Sequence, residues 1–349
     1  MHHKLQTFCR GLLCAALLGP VLSTQAAAYS NLYILGDSLS DSGNVSTIYG
    51  IGVATGLISV PENPPAVPSA NYFPGTFSNG PNYSVTMAAA LGLQAMPSVL
   101  GGTNYAYGAA RTDYHALQDK SPLFLGLNQQ RDQLLARHPG GLDGDALYVV
   151  FGGSNNVQDL LSGSRSAGND ALGAPSTVAE TVLDLKGIVG DLFANGAETV
   201  MVVNLPDLGL VPRITSLGPL AVGAASFFSG QINAGIAGVV AEQRAMGRHV
   251  IDFDLRSLFD DLVQNAAANG FTNTTGACFT GDDVNFFPGG TVCGNPDEHI
   301  FWDSLHPTAR VHAILGAQMA VAAVPEPGTW ALMGVGVLVI AVARRRAAA

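Results

Sequence analysis

Four short apolar runs, at 31–35, 146–151, 199–204 and 249–253, recur along the chain with helical patterns between them. The second run ends at Gly152-Gly153 and the third at Leu205-Pro206, so each is bounded by residues that stop a strand. Runs apolar at successive positions suit strands buried on both faces, which means a parallel sheet with helices on either side. The predicted helices, at 123–137, 178–195, 225–247 and 308–323, fall where parallel crossovers require them. With 48% apolar and 12% charged residues the chain has side chains enough for one large core, and disorder is excluded. The 42 glycines carry no three-residue period, which excludes a collagen-like fibre.

The two ends read differently from the body. Lys4 and Arg10 precede the apolar run 11–22, and Ala26-Ala27-Ala28 follows it, the anatomy of a secretory signal peptide over residues 1–28. Cys14 lies inside that run instead of just after it, which argues against a lipoprotein cleavage site. Residues 328–343 are uncharged and lead into Arg344-Arg345-Arg346; as a helix this run is about 24 Å long, close to a bilayer span. The expected organisation is a signal peptide (1–28), one catalytic domain (29–323) and a tail (324–349). Setting aside Lys4, Arg10, Arg344, Arg345 and Arg346 on the basic side and Glu326 on the acidic side leaves 11 basic against 25 acidic residues, a net charge of −14. Such a surface repels phosphate backbones, so nucleic acid is not an expected partner. Cys278 and Cys293 alone remain in the exported body, an even number in an oxidising compartment, and a disulfide between them is expected.

Two stretches break the alternation. Residues 45–82 are rich in Gly, Pro, Ser and Asn and carry Tyr49, Tyr72, Phe73 and Phe77, and residues 268–300 hold both cysteines and run into Asp303 and His306. Long irregular stretches inside a compact domain are usually functional, although a surface excursion with a few buried aromatics reads the same way.

Ser38 follows the first apolar run in Gly36-Asp37-Ser38-Leu39-Ser40-Asp41-Ser42-Gly43-Asn44. A serine there projects from the carboxyl edge of the sheet, where open α/β sheets bind ligands, but the same residue type also caps helices well. A serine nucleophile needs a base. Among the histidines, His306 alone has an acid three residues before it, Asp303, and a proline after it, in Asp303-Ser-Leu-His-Pro307. A carboxylate so placed orients the imidazole toward the serine, or it caps the following helix beside an idle ring. Donors for an oxyanion are offered by Gly102-Thr-Asn-Tyr-Ala-Tyr-Gly-Ala109 and Gly152-Gly-Ser-Asn-Asn156, which also read as ordinary strand-ending turns. A zinc site from Cys278, Cys293, His299 and His306 matches no usual ligand spacing, so no metal is expected.

In order and wording, GDSLSDSGN, NYAYGAA, GGSNN and DSLHP resemble the blocks of the SGNH or GDSL family of serine hydrolases, over roughly residues 30–322. Phe73-Pro-Gly-Thr-Phe-Ser-Asn-Gly80 and Asn204-Leu-Pro-Asp-Leu-Gly209 resemble stretches of its bacterial secreted esterase branch. The resemblance implies a flavodoxin-like three-layer α/β/α sandwich around a mostly parallel sheet of about five strands. It further implies Ser38 as nucleophile, His306 as general base and Asp303 as the group that orients it. Ser38 N–H, Gly108 N–H and the Asn155 side chain would form the oxyanion hole. The implied substrate is a small-molecule or lipid carboxylic ester, with no cofactor. Asn156 stands where the family usually has Asp, and an amide there can still hydrogen-bond locally.

Val324-Pro-Glu-Pro-Gly328, the apolar run and the three arginines resemble a PEP-CTERM sorting signal. That implies a Gram-negative bacterium, an exosortase-like processing enzyme, transient inner-membrane anchoring and release to the exterior or cell surface; a plain tail anchor with its arginines inside is the alternative. The expected activity is carboxylic-ester hydrolysis. A deacetylase of acetylated surface polysaccharide would use the same site, and a non-catalytic surface binding module would use the same fold.

Overall fold

The computed structural model describes residues 29–55, 71–115, 123–167, 170–284, 286, 289–324 and 344. The segment 1–28, read above as a signal peptide, and the apolar run of the tail lie outside the described residues. In chain order the elements are β1 (Leu32–Gly36), α1 (Asn44–Ala54), α2 (Tyr83–Ala90), α3 (Leu127–Arg137), β2 (Leu147–Phe151), α4 (Ser154–Ser162), β3 (Arg165–Ala167), β4 (Asp170–Gly173) and α5 (Val178–Ala194). They continue with β5 (Thr199–Val203), α6 (Pro212–Thr215), α7 (Pro219–Ala245), β6 (His249–Phe253), α8 (Leu255–Gln264), β7 (Asn273–Ala277), β8 (His299–Phe301) and α9 (Ala309–Ala323).

The four apolar runs are the four strands of one parallel sheet, ordered β1-β2-β5-β6. Leu32 faces Leu147, Leu147 faces Thr199 and Thr199 faces His249, so the strands start level and end together at one carboxyl edge. β1, β2 and β5 are buried at every residue, which requires cover on both faces. α3, α5 and α7 form one packed group against the sheet, and α2 with α9 forms another, α9 reaching β6. The place of a fifth strand, outside β1, is taken by irregular backbone: Ile34 N–H donates to Thr103 O, Tyr105 N–H to Ile34 O and Tyr107 N–H to Gly36 O, at 3.2, 2.7 and 3.1 Å. β3 pairs with β4 and β7 with β8 as separate small ribbons.

Five helices, α1, α2, α4, α6 and α8, went unread in the sequence. The stretch from 45 begins as α1, α4 and α6 have only nine and four residues, and α2 and α8 only eight and ten, although α8 spaces Leu255, Leu258, Phe259 and Leu262 at helical intervals. The starts of α2 and α8 are nonetheless encoded locally, by Asn82 accepting the N–H groups of Ser84 and Val85 and by Asp254 accepting that of Ser257. α7 starts six residues earlier than its apolar pattern, at Pro219, whose fixed φ suits a first helical turn. Across the domain, Tyr29 Oη donates to Ala323 O at 2.6 Å and ties the first described residue to the last residue of α9.

Candidate active site

β1 ends at Gly36, and the chain turns at once: Asp37 O accepts the N–H groups of Ser40 and Asp41 at 3.0 and 2.9 Å. Gln130 of α3 clamps the strand end, accepting Gly36 N–H and donating to Gly36 O, both at 2.9 Å. The turn leaves Ser38 at the carboxyl edge of the sheet, not at a helix start. Capping of α1 falls to Asp41, whose carboxylate accepts the N–H groups of Gly43, Asn44 and Val45 at 2.7, 2.7 and 3.2 Å.

The histidine comes from the turn between β8 and α9. Asp303 Oδ1 accepts the N–H groups of Leu305 and His306 at 2.8 and 2.6 Å, which folds the turn around the carboxylate. Its Oδ2 bonds His306 Nδ1 at 2.8 Å, and His306 Nε2 lies 2.9 Å from Ser38 Oγ, 268 residues away in sequence. All three side chains are buried. Burial by itself would raise the Asp303 carboxyl, but the neighbouring His306 charge and these hydrogen bonds outweigh it and hold Asp303 below the usual carboxylate range. An ionised Asp303 keeps the proton on Nδ1, so Nε2 is the nitrogen free to accept from Ser38.

A fourth donor to Asp303 was not identified from sequence. Tyr72 Oη donates to Oδ2 at 2.8 Å. Burial and the Asp303 charge push the Tyr72 phenol well up, so it stays a donor. The aromatic content of 45–82 hinted at a role for that stretch, yet Tyr72 and Asp303 are 231 residues apart and nothing local pairs them. The Tyr72 ring packs edge-on against Phe279, Phe286 and Trp302 with centroids 5.5, 5.2 and 6.1 Å away. Phe77 lies tilted against the His306 ring at 5.4 Å. Cys278 and Cys293 form a disulfide beside this aromatic group. Their sulfurs are thereby bonded to each other, and His299 next to them hydrogen-bonds Asn295 O at 3.1 Å.

The expected oxyanion donors separate into two groups. Ser38 N–H has no partner among the described residues. Asn155 gives one amide hydrogen to Ala110 O at 2.9 Å and keeps the other, and it lines the same cavity as Ser38. Gly108 requires a correction: its N–H donates to Asp41 Oδ2 at 2.8 Å and is not open to an oxyanion. The glycine is there for close approach, since a Cβ on it would meet the Phe77 ring at 2.2 Å. Gly153, with φ +114, supplies the left-handed turn that starts α4 and presents Asn155. Asn156 accepts Thr112 N–H at 3.1 Å and donates to Thr112 Oγ1 at 3.2 Å. Thr112 Oγ1 gives its own hydrogen to Asp184 at 2.8 Å, so the Asn156 amide supplies the donor that this oxygen can still accept.

Three further titratable groups, Asp37, His115 and His312, are buried in the domain. Asp37 is buried beside Ser38; Oδ1 accepts Leu39 N–H at 3.1 Å, Oδ2 has no partner among the described residues, and burial pushes the carboxyl up to about 6. His115 and His312 are buried and pushed down to about 3 by desolvation, so both are neutral packing groups.

Serine, histidine and acid held in this geometry at the carboxyl edge of an open parallel sheet define an α/β serine hydrolase. Residues 32–319 match the family model described as GDSL-like lipase/acylhydrolase, and the chain belongs to that family of carboxylic-ester hydrolases. A GDSL esterase/lipase of Arabidopsis thaliana is 24% identical over 85% of this chain and 86% of its own length. Phosphatidylcholine-sterol acyltransferase of Aeromonas hydrophila is 27% identical, with 87% and 94% covered. Esterase EstA of Pseudomonas aeruginosa is 28% identical over 90% of this chain, which spans 52% of that protein. Residues 323–346 match the PEP-CTERM protein-sorting motif, so this is an exported hydrolase whose tail implies an exosortase-like processing enzyme.

Proposed function

We propose that Ser38 is the nucleophile of an exported esterase that works through an acyl-enzyme, with His306 as general base and Asp303 orienting it. The supporting observation is the unbroken relay from Ser38 Oγ to His306 Nε2, at 2.9 Å, and from His306 Nδ1 to Asp303, at 2.8 Å. Ser38 Oγ attacks the ester carbonyl as its proton passes to Nε2. The oxyanion is met by Ser38 N–H and the free Asn155 amide hydrogen. Collapse breaks the carbonyl–alkoxy bond, and the departing alcohol takes the proton from Nε2. Water then attacks the acyl-enzyme, gives its proton to His306, and the proton returns to Ser38 as the acid leaves.

The hydrolase unit is residues 29–323, a reading supported by the Tyr29–Ala323 hydrogen bond at its two ends. Residues 1–28 are a cleaved signal peptide. The tail after 323 holds the precursor in the inner membrane with its arginines on the cytoplasmic side until processing releases the domain to the outside.

Ser38→Ala tests the assignment. Turnover of p-nitrophenyl esters is expected to fall by several powers of ten with unchanged circular dichroism, because only the attacking oxygen is removed. Organophosphonate labelling is expected at Ser38. Label on Ser40 or Ser42, with activity retained in the variant, would refute it.

A further inference from the structure

Asp303 and His306 close their own turn, but that turn must also stand correctly toward Asn155, which belongs to a different element, α4. Ser304 lies inside the turn, and each of its polar groups is held from outside. Its N–H donates to Asp283 Oδ2 at 2.7 Å, its carbonyl accepts Arg213 N–H at 2.7 Å and its hydroxyl accepts Arg213 Nε–H at 3.0 Å. Arg213 is the second residue of α6, so its N–H belongs to the first turn and has no acceptor within the helix. The guanidinium then reaches in two further directions. Nη2 meets Asp283, 3.1 Å from Oδ1 and 3.2 Å from the carbonyl oxygen. Nη1 donates to Gln158 Oε1 at 3.5 Å, and Gln158 Nε2 donates to Asn155 Oδ1 at 3.1 Å.

We propose that Arg213 is a positioning residue for the hydrolysis, tying the histidine turn and the Asn155 amide to each other; the inference rests on the Ser38–His306–Asp303 relay and on Asn155 as an oxyanion donor. The argument is one of donors and acceptors. A guanidinium carries five N–H donors and no acceptor, so Gln158 can meet it only with its oxygen. The Gln158 NH₂ is thereby left for Asn155, which must answer with Oδ1. That directs the Asn155 NH₂ to the opposite side, where Ala110 O accepts one hydrogen at 2.9 Å and the other stays free. Arg213 and Ala110 impose the same sense on this amide from its two ends, and a donor fixed before reaction need not reorient as the oxyanion forms. The planar fork suits the task, since it serves Ser304, Asp283 and Gln158 at once; a lysine ammonium is a point charge on a flexible stem and does not. Asn155 and Gln158 line the cavity at Ser38 and Arg213 stands behind them, so its loss should appear in kcat and not in KM.

The experiment is steady-state hydrolysis of p-nitrophenyl butyrate by the purified full chain, with the rate of organophosphonate labelling at Ser38 as a second readout. Arg213→Met is expected to lower kcat about 10- to 100-fold, the scale of a misplacement of about 1 Å at the reacting groups, with KM within about twofold. Arg213→Lys is expected to recover only part of the loss. Gln158→Met keeps the ties of Arg213 to Asp283 and Ser304, and is expected to lower kcat and labelling about tenfold by freeing the Asn155 amide. In an Asn155→Ala background the Gln158→Met loss is expected to vanish and the Arg213→Met loss to shrink, because the amide they orient is gone. Should Arg213→Met fail to fold, the Gln158→Met pair decides alone. Unmoved kcat in the folded variants, or losses as large in the Asn155→Ala background as in the parent, would overturn the positioning role. Labelling of Ser38 in the parent and in Arg213→Met at equal rates would overturn it while leaving the relay intact, whereas a parent that takes no label at Ser38 would overturn the relay itself.

Discussion

Tyr72→Phe removes one oxygen from the centre of the site and little else. The phenylalanine ring retains the edge contacts to Phe279, Phe286 and Trp302, so no sizeable cavity forms. Asp303 is fully buried and loses one of four donors, keeping His306 Nδ1 and the two backbone N–H groups of Leu305 and His306. A hydrogen bond to a buried charged group is worth about 1.5–3 kcal/mol. For a domain of residues 29–323, at about 2.1 cal/mol/K per residue, a loss of ~2 kcal/mol lowers Tm by about 3 °C. The sign of the pH dependence follows from the depressed Asp303 carboxyl. The contribution is complete above the ordinary carboxylate range and is lost as pH falls through the lower folded value, so the difference between parent and variant is expected at neutral pH and closes in strong acid. Catalysis reports the same bond differently. With one competitor gone, Asp303 binds the protonated His306 ring more strongly, and the acid limb of kcat/KM is expected to move to higher pH. The assays are thermal unfolding at neutral and acid pH and a pH–rate profile. Unchanged Tm together with an unmoved acid limb would refute the reasoning, and a lower Tm alone would confine the Tyr72 hydroxyl to stability.

Three further outcomes follow from the same geometry. Asn155→Ala is expected to lower kcat about 10²- to 10³-fold with KM nearly constant, as for loss of one oxyanion donor; a change under about threefold would remove Asn155 from the hole. Asp37 is raised from 3.8 to about 6, so the folded protein holds this proton longer than the unfolded chain and loses stability as pH rises through that window. The ionised, buried carboxyl then costs on the order of 3 kcal/mol, and Asp37→Asn is expected to unfold at higher urea than the parent at pH 8, with no gap below the window; an equal gap at both pH values would contradict this. Replacing both Cys278 and Cys293 with Ser opens a loop of 15 residues and is expected to cost about 3 kcal/mol, read as a lower urea midpoint, while thiol titration of the unfolded parent without reductant should find neither cysteine free.

The four strands of the parallel sheet, most crossover helices and the identity of Ser38, Asp303 and His306 as candidates were legible in the sequence because each is a local signal. An apolar run, a glycine before a serine or an acid three residues before a histidine all lie within a few residues. Even the Asp303–His306 pairing is local, one turn closing on its own carboxylate. Other features were decided only in three dimensions. Gly108 sits in a block whose wording suggested an oxyanion donor, but Asp41 and the Phe77 ring, each more than thirty residues upstream, meet its N–H and its missing side chain. Tyr72 reaches Asp303 only because the small β7–β8 ribbon and the disulfide bring distant aromatics together. The cavity at Ser38 depends on how far apart two of the helices that line it stand, α8 and α9. Sequence determines which residues are apolar and how they repeat along each helix. Whether two apolar stripes interlock or leave room for a ligand is settled by the packing of everything around them.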